Sequence, residues 1–169
     1  MKPMWVGLTL LPLILGSCVI VDRSGSSSYS TRSAGYISSF FPTSGQGSIY
    51  HVGDTIRFRL TTSRAGYVTL VSFDPDGYSN IIAQDVWVPG GTVVFPNDLP
   101  GRPQNYTIGP PRGLQRVKAI FTGEPYSSRR VEIGGHYDSQ TGWDNQISIY
   151  VNGMDTTARD VRETYFYIR

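Results

Sequence analysis

Short runs in which apolar and polar residues alternate dominate the chain after residue 35. Residues 55–61 show the clearest case, because Ile56, Phe58 and Leu60 fall on one face of an extended strand. The two intervening positions are arginines. A period of two with one polar face is typical of a half-buried antiparallel strand.

The next run, residues 66–73, is apolar on both faces and therefore predicts a central strand. It is followed by Asp74-Pro75-Asp76-Gly77, in which proline and glycine occupy positions that favour a tight turn. We expect residues 78–83 to form the return strand of this hairpin.

Further apolar runs separated by turn residues predict an all-β fold, a single antiparallel β-sandwich of immunoglobulin-like type. We expect a long loop over residues 122–142 that includes one short strand, and a helical turn over 155–160. The short strand is expected at 130–133, and the other expected strands are 36–41, 92–95, 105–108, 114–121, 144–151 and 162–168.

The beginning of the chain has a different pattern. Lys2 precedes an apolar run over residues 4–15, which is too short to span a bilayer and is typical of a secretory signal. Leu15-Gly16-Ser17-Cys18 resembles the lipobox of bacterial lipoproteins, and Cys18 is the only cysteine of the chain. The resemblance implies removal of residues 1–17 and acylation of Cys18. The alternative is a secreted protein that is cut nearby and keeps a free thiol.

The lipobox resemblance also implies a location in the cell envelope, anchored to membrane lipid through Cys18. Such lipoproteins tend to stay at the inner membrane when an aspartate follows the cysteine. Val19 follows it here, which favours the outer membrane if the host has two membranes.

Composition divides the rest of the chain into a tether and one domain. Residues 18–35 are rich in serine and glycine and predict a flexible tether, and residues 36–169 have the length of one domain. The formal net charge is only +2, and no sustained basic run occurs. Nucleic acid is therefore not an expected partner.

The order of short motifs between residues 50 and 125 resembles the family catalogued as domain of unknown function 4384. The motifs are Tyr50-His51-Val52-Gly53-Asp54, Gly66-Tyr67-Val68-Thr69-Leu70, Phe73-Asp74-Pro75-Asp76-Gly77, Val94-Phe95-Pro96-Asn97 and Gly113-Leu114-Gln115-Arg116-Val117-Lys118-Ala119-Ile120. The resemblance implies an accessory β domain of bacterial envelope or signalling proteins. It implies no catalytic residues.

Groups that could carry metal or catalytic chemistry are sparse. Asp74 and Asp76 open like a calcium loop, but no glutamate follows at the required spacing, so a turn is favoured. His136, Asp138 and Asp144 could bind a metal or serve a hydrolase if they converge. Neither a Gly-x-Ser-x-Gly elbow nor a phosphate-binding glycine loop occurs in the sequence. We expect no cofactor and no catalysis.

Aromatic residues near turns are the remaining candidates for binding. Trp87 and Trp143 lie closest to predicted turns, and Tyr126 and Tyr137 lie in the predicted long loop. Exposed aromatic rings anchor protein interfaces and stack on sugars, although most of them are expected to be core residues. The sequence therefore favours a non-catalytic envelope lipoprotein that binds or scaffolds another envelope protein. The alternatives are a module that binds cell-wall glycan or peptidoglycan and, less favoured, a hydrolase or metalloenzyme.

Overall fold

A computed structural model describes residues 35–96, 98, 105–125, 132–154 and 156–169. The described chain contains short and medium strands and a single helix. In chain order the elements are β1 (Ile37–Pro42), β2 (Ile49–Tyr50), β3 (Thr55–Ile56), β4 (Phe58–Thr62), β5 (Gly66–Phe73), β6 (Tyr78–Val88), β7 (Gly91–Phe95), β8 (Tyr106–Thr107), β9 (Gly113–Thr122), β10 (Gly135–His136), α1 (Gln140–Asn152) and β11 (Arg159–Ile168). None of the described helical residues forms a segment long and apolar enough to cross a membrane.

The strands form two main sheets and a small ribbon. The small sheet has the order β1-β4-β7, the large sheet has the order β10-β6-β5-β9-β11-β2, and β3 pairs with β8 in the ribbon. All strand pairs are antiparallel except β11 with β2. The fold is an all-β sandwich, which confirms the fold class expected from the sequence.

The main core lies between the two sheets. Phe58, Leu60 and Phe95 of the small sheet are almost completely buried, as are Val68 and Phe121 of the large sheet. Phe58 and Leu60 are alternating apolar positions of the sequence, so the period-two pattern determined which face of β4 is buried. The strand expected to be central, β5, does lie between β6 and β9.

A second core lies on the outer face of the large sheet, beneath α1. The helix begins after Ser139, whose hydroxyl accepts a hydrogen bond from the Gly142 N–H at 3.2 Å and so caps the first turn. Its buried residues are Trp143, Ile147, Tyr150 and Val151. Their spacing of four, three and one is the spacing of one helix face.

The helix corrects the expected strand over residues 144–151. Isoleucine, tyrosine and valine favour strands as isolated residues, but here their spacing matches a helix that packs on the sheet. The expected helical turn over 155–160 is also wrong at its described end, because Asp160 belongs to β11. Ile133, the end of the expected short strand 130–133, is buried but lies outside any strand, and residues 126–131 lie outside the described residues.

A buried aspartate joins the two sheets. The Asp160 carboxylate accepts hydrogen bonds of 2.8 Å from the backbone N–H groups of Ile37 and Val161. Asp160 is 1 % exposed, so these bonds compensate for the removal of its charge from water. They connect the first strand of the small sheet to β11 and thereby help to close one side of the sandwich.

Candidate functional site

A pocket of about 360 Å³ opens at one end of the sandwich. We call it the end pocket. One wall is the inner face of the large sheet, and the β3–β8 ribbon with the segment that follows it forms the other. The described lining residues are Ile56, Phe58, Ser72, Asp74, Asn80, Ile82, Asn105, Tyr106, Thr107, Ile108, Gly109, Pro110, Gln115, Val117, Phe166 and Ile168.

Asp74 is the chemically most distinctive group of the end pocket. It directly follows β5 and is 8 % exposed. Gln115 Nε2 donates to its Oδ1 at 2.6 Å, and Asn80 Nδ2 donates to its Oδ2 at 3.1 Å. Since a carboxylate can only accept, the Gln115 amide must turn its NH₂ group toward Asp74. The other end of that amide, Gln115 Oε1, is then buried with no hydrogen-bond partner.

The environment of Asp74 disfavours its charge. Burial raises the pKa of the Asp74 carboxyl above its ordinary value of 3.8, and the neighbouring Asp76 raises it further. The hydrogen bond from Gln115, and a weaker contribution from Ser72, act in the opposite direction and lower the pKa without cancelling the effect of burial. None of the described lining residues is basic, so no cation within the pocket compensates for this carboxylate.

The remaining walls of the end pocket are mostly apolar. Phe58, Val117, Phe166 and Ile168 belong to the buried core, and the Tyr106 ring packs beside Phe58 at a centroid distance of 6.4 Å. An apolar cleft with a few convergent polar groups and a perturbed carboxyl group is the usual form of a small-ligand site.

The sequence predicts a turn at Asp74 and gives no sign that its side chain lines a pocket. Residues 74–77 do form that turn, since the Gly77 N–H donates to the Asp74 carbonyl at 3.0 Å. The side chain nevertheless points toward the sheet and not toward solvent. The sequence does indicate the unusual position of Gln115. It is the polar member of an inward-facing row in β9 that also contains Val117, Ala119 and Phe121.

The two tryptophans predicted to be contact residues differ in solvent exposure. Trp87 lies on β6 and is 55 % exposed, which is consistent with a contact residue. Trp143 is 0 % exposed and lies between α1 and the large sheet. This burial corrects the expectation that Trp143 is an exposed contact, because the helix turns its ring toward the core.

Of the other predicted site residues, only Tyr137 lies within the described part of the chain. Tyr137 is half-buried against the second core, and burial, with a smaller effect of Glu132, raises the pKa of its phenol. Tyr126 and Cys18 lie outside the described residues, so their predicted roles stay predictions.

The disfavoured metal site at His136, Asp138 and Asp144 does not assemble. His136 Nδ1 lies 3.9 Å from Asp138 Oδ1, and both belong to a shallow pocket beside the turn at residues 74–77. Asp144 instead binds Lys118 Nζ at 2.6 Å, on the face where α1 meets β9. Among the described residues, His, Cys, Asp and Glu form no group of three that could hold a metal ion.

Comparison with known proteins gives one match. Residues 49–125 match the model of the family described as "Domain of unknown function (DUF4384)". No curated protein and no solved structure matches the chain. The matched segment begins at β2, ends just after β9, and contains all of the end pocket except its two β11 residues, Phe166 and Ile168. Residues 49–125 are therefore similar to this family, as the order of their motifs had indicated.

Proposed function

We propose that this protein is a non-catalytic lipoprotein of the cell envelope whose β-sandwich binds another envelope protein. Acylated Cys18 would anchor the chain in membrane lipid, and residues 18–35 would hold the sandwich away from the surface. The observation that carries the binding function is the exposure of Trp87.

Trp87 is a large apolar side chain that the fold leaves more than half exposed, at 55 %. In the strand register it lies opposite Tyr67, so two aromatic residues are neighbours on the large sheet. Tryptophan and tyrosine are enriched among the residues that contribute most to protein interfaces. A partner that covers Trp87 would remove its apolar surface from water, which this chain alone does not do.

The strand that carries Trp87 is accessible along most of its length. β10 pairs only with Tyr78 and Ser79 at the beginning of β6. Within the described part of the chain, β5 is the only strand beside β6 from Asn80 to Val88. Ile81 and Tyr78 on the same strand are also exposed, at 42 % and 52 %.

An irregularity in β6 favours contact through side chains over addition of a partner strand. The register between β5 and β6 shifts on either side of Leu70, and Asp85 has a φ of 46°. The Asp85 N–H turns toward Thr69 Oγ1, at 3.2 Å. A bulge of this kind interrupts the row of backbone donors and acceptors that strand addition requires.

Trp87 also supports a second candidate function, the binding of cell-wall glycan. Sugar rings stack on exposed indole rings, and Trp87 can offer one face in this way. Trp143 cannot contribute, since its ring is buried. Quenching or shifting of Trp87 fluorescence by soluble peptidoglycan fragments would favour this alternative.

The protein-binding proposal predicts the result of a cross-linking experiment in the native envelope. A Trp87→Ala variant is expected to lose at least about tenfold of its cross-linked partner protein, because truncation of a central interface tryptophan costs about 2 kcal/mol or more. The measurement is quantitative mass spectrometry of the captured material. Ile149→Ala is the matched control, because Ile149 is equally exposed, at 56 %, but lies on α1. Equal recovery with both variants would contradict the proposed interface.

The anchoring proposal predicts the fate of a Cys18→Ser variant. Without a thiol at position 18, the chain is expected to incorporate no labelled palmitate and to leave the membrane fraction. Ser17→Ala, which keeps a small residue before the cysteine, should be labelled as well as the original chain. Labelling of the Cys18→Ser variant would show that the lipid is attached elsewhere or that the lipobox is not used.

A further inference from the structure

The end pocket is a separate feature from the Trp87 surface. Trp87 pairs with Tyr67 near the beginning of β5, whereas the polar groups of the pocket lie at the other end of that strand, around Ser72 and Asp74. The end pocket and the proposed interface are therefore two different sites.

The polar groups immediately around Asp74 leave an acceptor without a matching donor. Asp74 offers a carboxylate, and its two neighbouring amides both turn their NH₂ groups toward it. Gln115 Oε1 has no hydrogen-bond partner, and the Gln115 residue is only 9 % exposed, so water does not readily replace the missing donor. A buried acceptor without a partner is costly, so this arrangement favours a ligand that supplies N–H groups.

The charge balance favours a cationic donor. The charged group closest in sequence to Asp74 is another acid, Asp76, and none of the described lining residues is basic. Ser72 and Asn80 come from the strands beside Asp74, and Asn105 and Thr107 come from the ribbon side, and all four are uncharged. A buried carboxylate without a cation is unfavourable for folding, and such groups are concentrated at functional sites.

The size and the walls of the pocket define the rest of the ligand. A volume of about 360 Å³ is near the lower limit for small-molecule sites. Ile82 and Tyr106, which are only partly buried, supply an apolar surface next to the polar groups. This space suits a short alkyl stem that ends in a charged amine.

We propose that the end pocket binds a primary alkylammonium group, with its nitrogen at Asp74 and its stem against Ile82 and Tyr106. The group can belong to a small free amine or to a lysine side chain of a peptide. Both sources present the same chemistry to the pocket, and the experiment separates them.

The test is titration of the full mature chain at pH 7 with n-butylammonium, monitored by calorimetry and by the NMR signal of the Gln115 side-chain amide. We expect saturable binding and a shift of that signal. The neutral analogue n-butanol has a similar shape and should bind at least about tenfold more weakly, because it lacks the charge-assisted hydrogen bond. Equal binding of the two compounds, or no binding of either, would overturn the proposal.

Asp74→Asn is the decisive variant, because it removes the charge and keeps the shape. Rotation of the Gln115 amide would let Oε1 accept a hydrogen bond from the new amide, so the fold can be retained. We expect butylammonium affinity to fall at least about tenfold. Unchanged affinity in a folded variant would refute the role of Asp74. Trp87→Ala should leave the affinity unaltered, which separates this site from the proposed interface.

The stability of the same variant gives an independent readout. Because the pKa of Asp74 is raised, the folded chain holds this proton more tightly than the unfolded chain. The ionised side chain therefore lowers stability above its folded pKa, and this loss disappears below the ordinary value of 3.8. Asp74→Asn should melt at a higher temperature than the original protein at pH 7, with a difference that vanishes near pH 4 and below. A lower melting temperature at pH 7 would mean that the carboxylate stabilises the fold and would weaken the case for a ligand.

Titration with Nα-acetyl-lysine methylamide distinguishes the two sources of the amine. Tighter binding of this compound than of butylammonium would assign the site to a lysine side chain of a protein or peptide. The reverse order would assign it to a small free amine.

Discussion

Replacement of Trp143 by alanine is expected to lower the free energy of unfolding by about 3–5 kcal/mol. Trp143 is completely buried between α1 and the large sheet. Its ring stacks on Phe73 at a centroid distance of 5.0 Å, and Lys118 Nζ lies 4.7 Å from the ring centroid on the sheet side. Alanine would leave a cavity that the helix and the sheet cannot close without moving together.

A hydrogen-bond chain adds to the expected effect. Trp143 Nε1 donates to Ser79 Oγ at 2.9 Å, and that hydroxyl donates to the Ile133 carbonyl at 2.8 Å. Loss of the indole would remove one member of this buried chain, while the packing around it would lose its main contact. We therefore expect α1 to separate from the sheet before the sandwich itself unfolds.

Urea unfolding followed by far-ultraviolet circular dichroism would measure this change. Trp143→Phe keeps much of the packing but removes the N–H donor, so its loss of stability should lie between those of the original protein and Trp143→Ala. Trp87→Ala is the matched control and should change stability by only about 0.5 kcal/mol, since Trp87 is 55 % exposed. Similar losses for the two alanine variants would contradict the buried position of Trp143.

Replacement of Phe58 by alanine should have an effect of similar size on the other core. Phe58 is 1 % exposed and its ring lies within 5.6–6.4 Å of the rings of Phe40, Tyr106 and Phe166. It therefore joins the small sheet, the ribbon and the large sheet at one point. We expect a loss of about 3–5 kcal/mol of unfolding free energy, since the cavity would be shared by three elements.

The Phe58 variant also tests the relation between the core and the end pocket, because Phe58 lines both. Phe58→Leu keeps an apolar side chain and should cost less than about 1.5 kcal/mol. Ile81→Ala, at a position that is 42 % exposed, provides a control for loss of apolar volume outside the core. Thermal unfolding monitored by tyrosine fluorescence would compare the three variants. A small effect of Phe58→Ala would mean that the aromatic cluster repacks and that the small sheet is held mainly by its backbone pairing.

The strands could be predicted because the hydrophobic pattern of each is visible in its own residues. Gly66–Phe73 was expected as a central strand with the bounds that it has in the structure. The residues of β4 show their inward face by strict alternation, and the turn at residues 74–77 follows from its proline and glycine. In all these cases the signal is local, so neighbouring elements are not needed to recognise it.

The helix shows where local evidence fails. Ile147, Tyr150 and Val151 favour a strand as single residues, and only their joint spacing with Trp143 indicates a helix. The helical spacing is favourable because it packs the buried face of α1 against Val71 and Ile120 of the sheet. These two residues are distant from α1 in sequence. Trp143 was misassigned as an exposed contact for the same reason.

By itself the sequence determined the all-β sandwich class and the position of most strands, because alternation and turn chemistry are local properties. It also determined the family resemblance that the match over residues 49–125 bears out. Only the tertiary structure decided that α1 covers the large sheet, that Trp87 is exposed while Trp143 is buried, and that Asp74 and Gln115 meet in one pocket. Asp74 and Gln115 are 41 positions apart, and their contact depends on how β5 and β9 pair. Such pairing is set by packing of the whole sheet, which no short segment of the chain specifies.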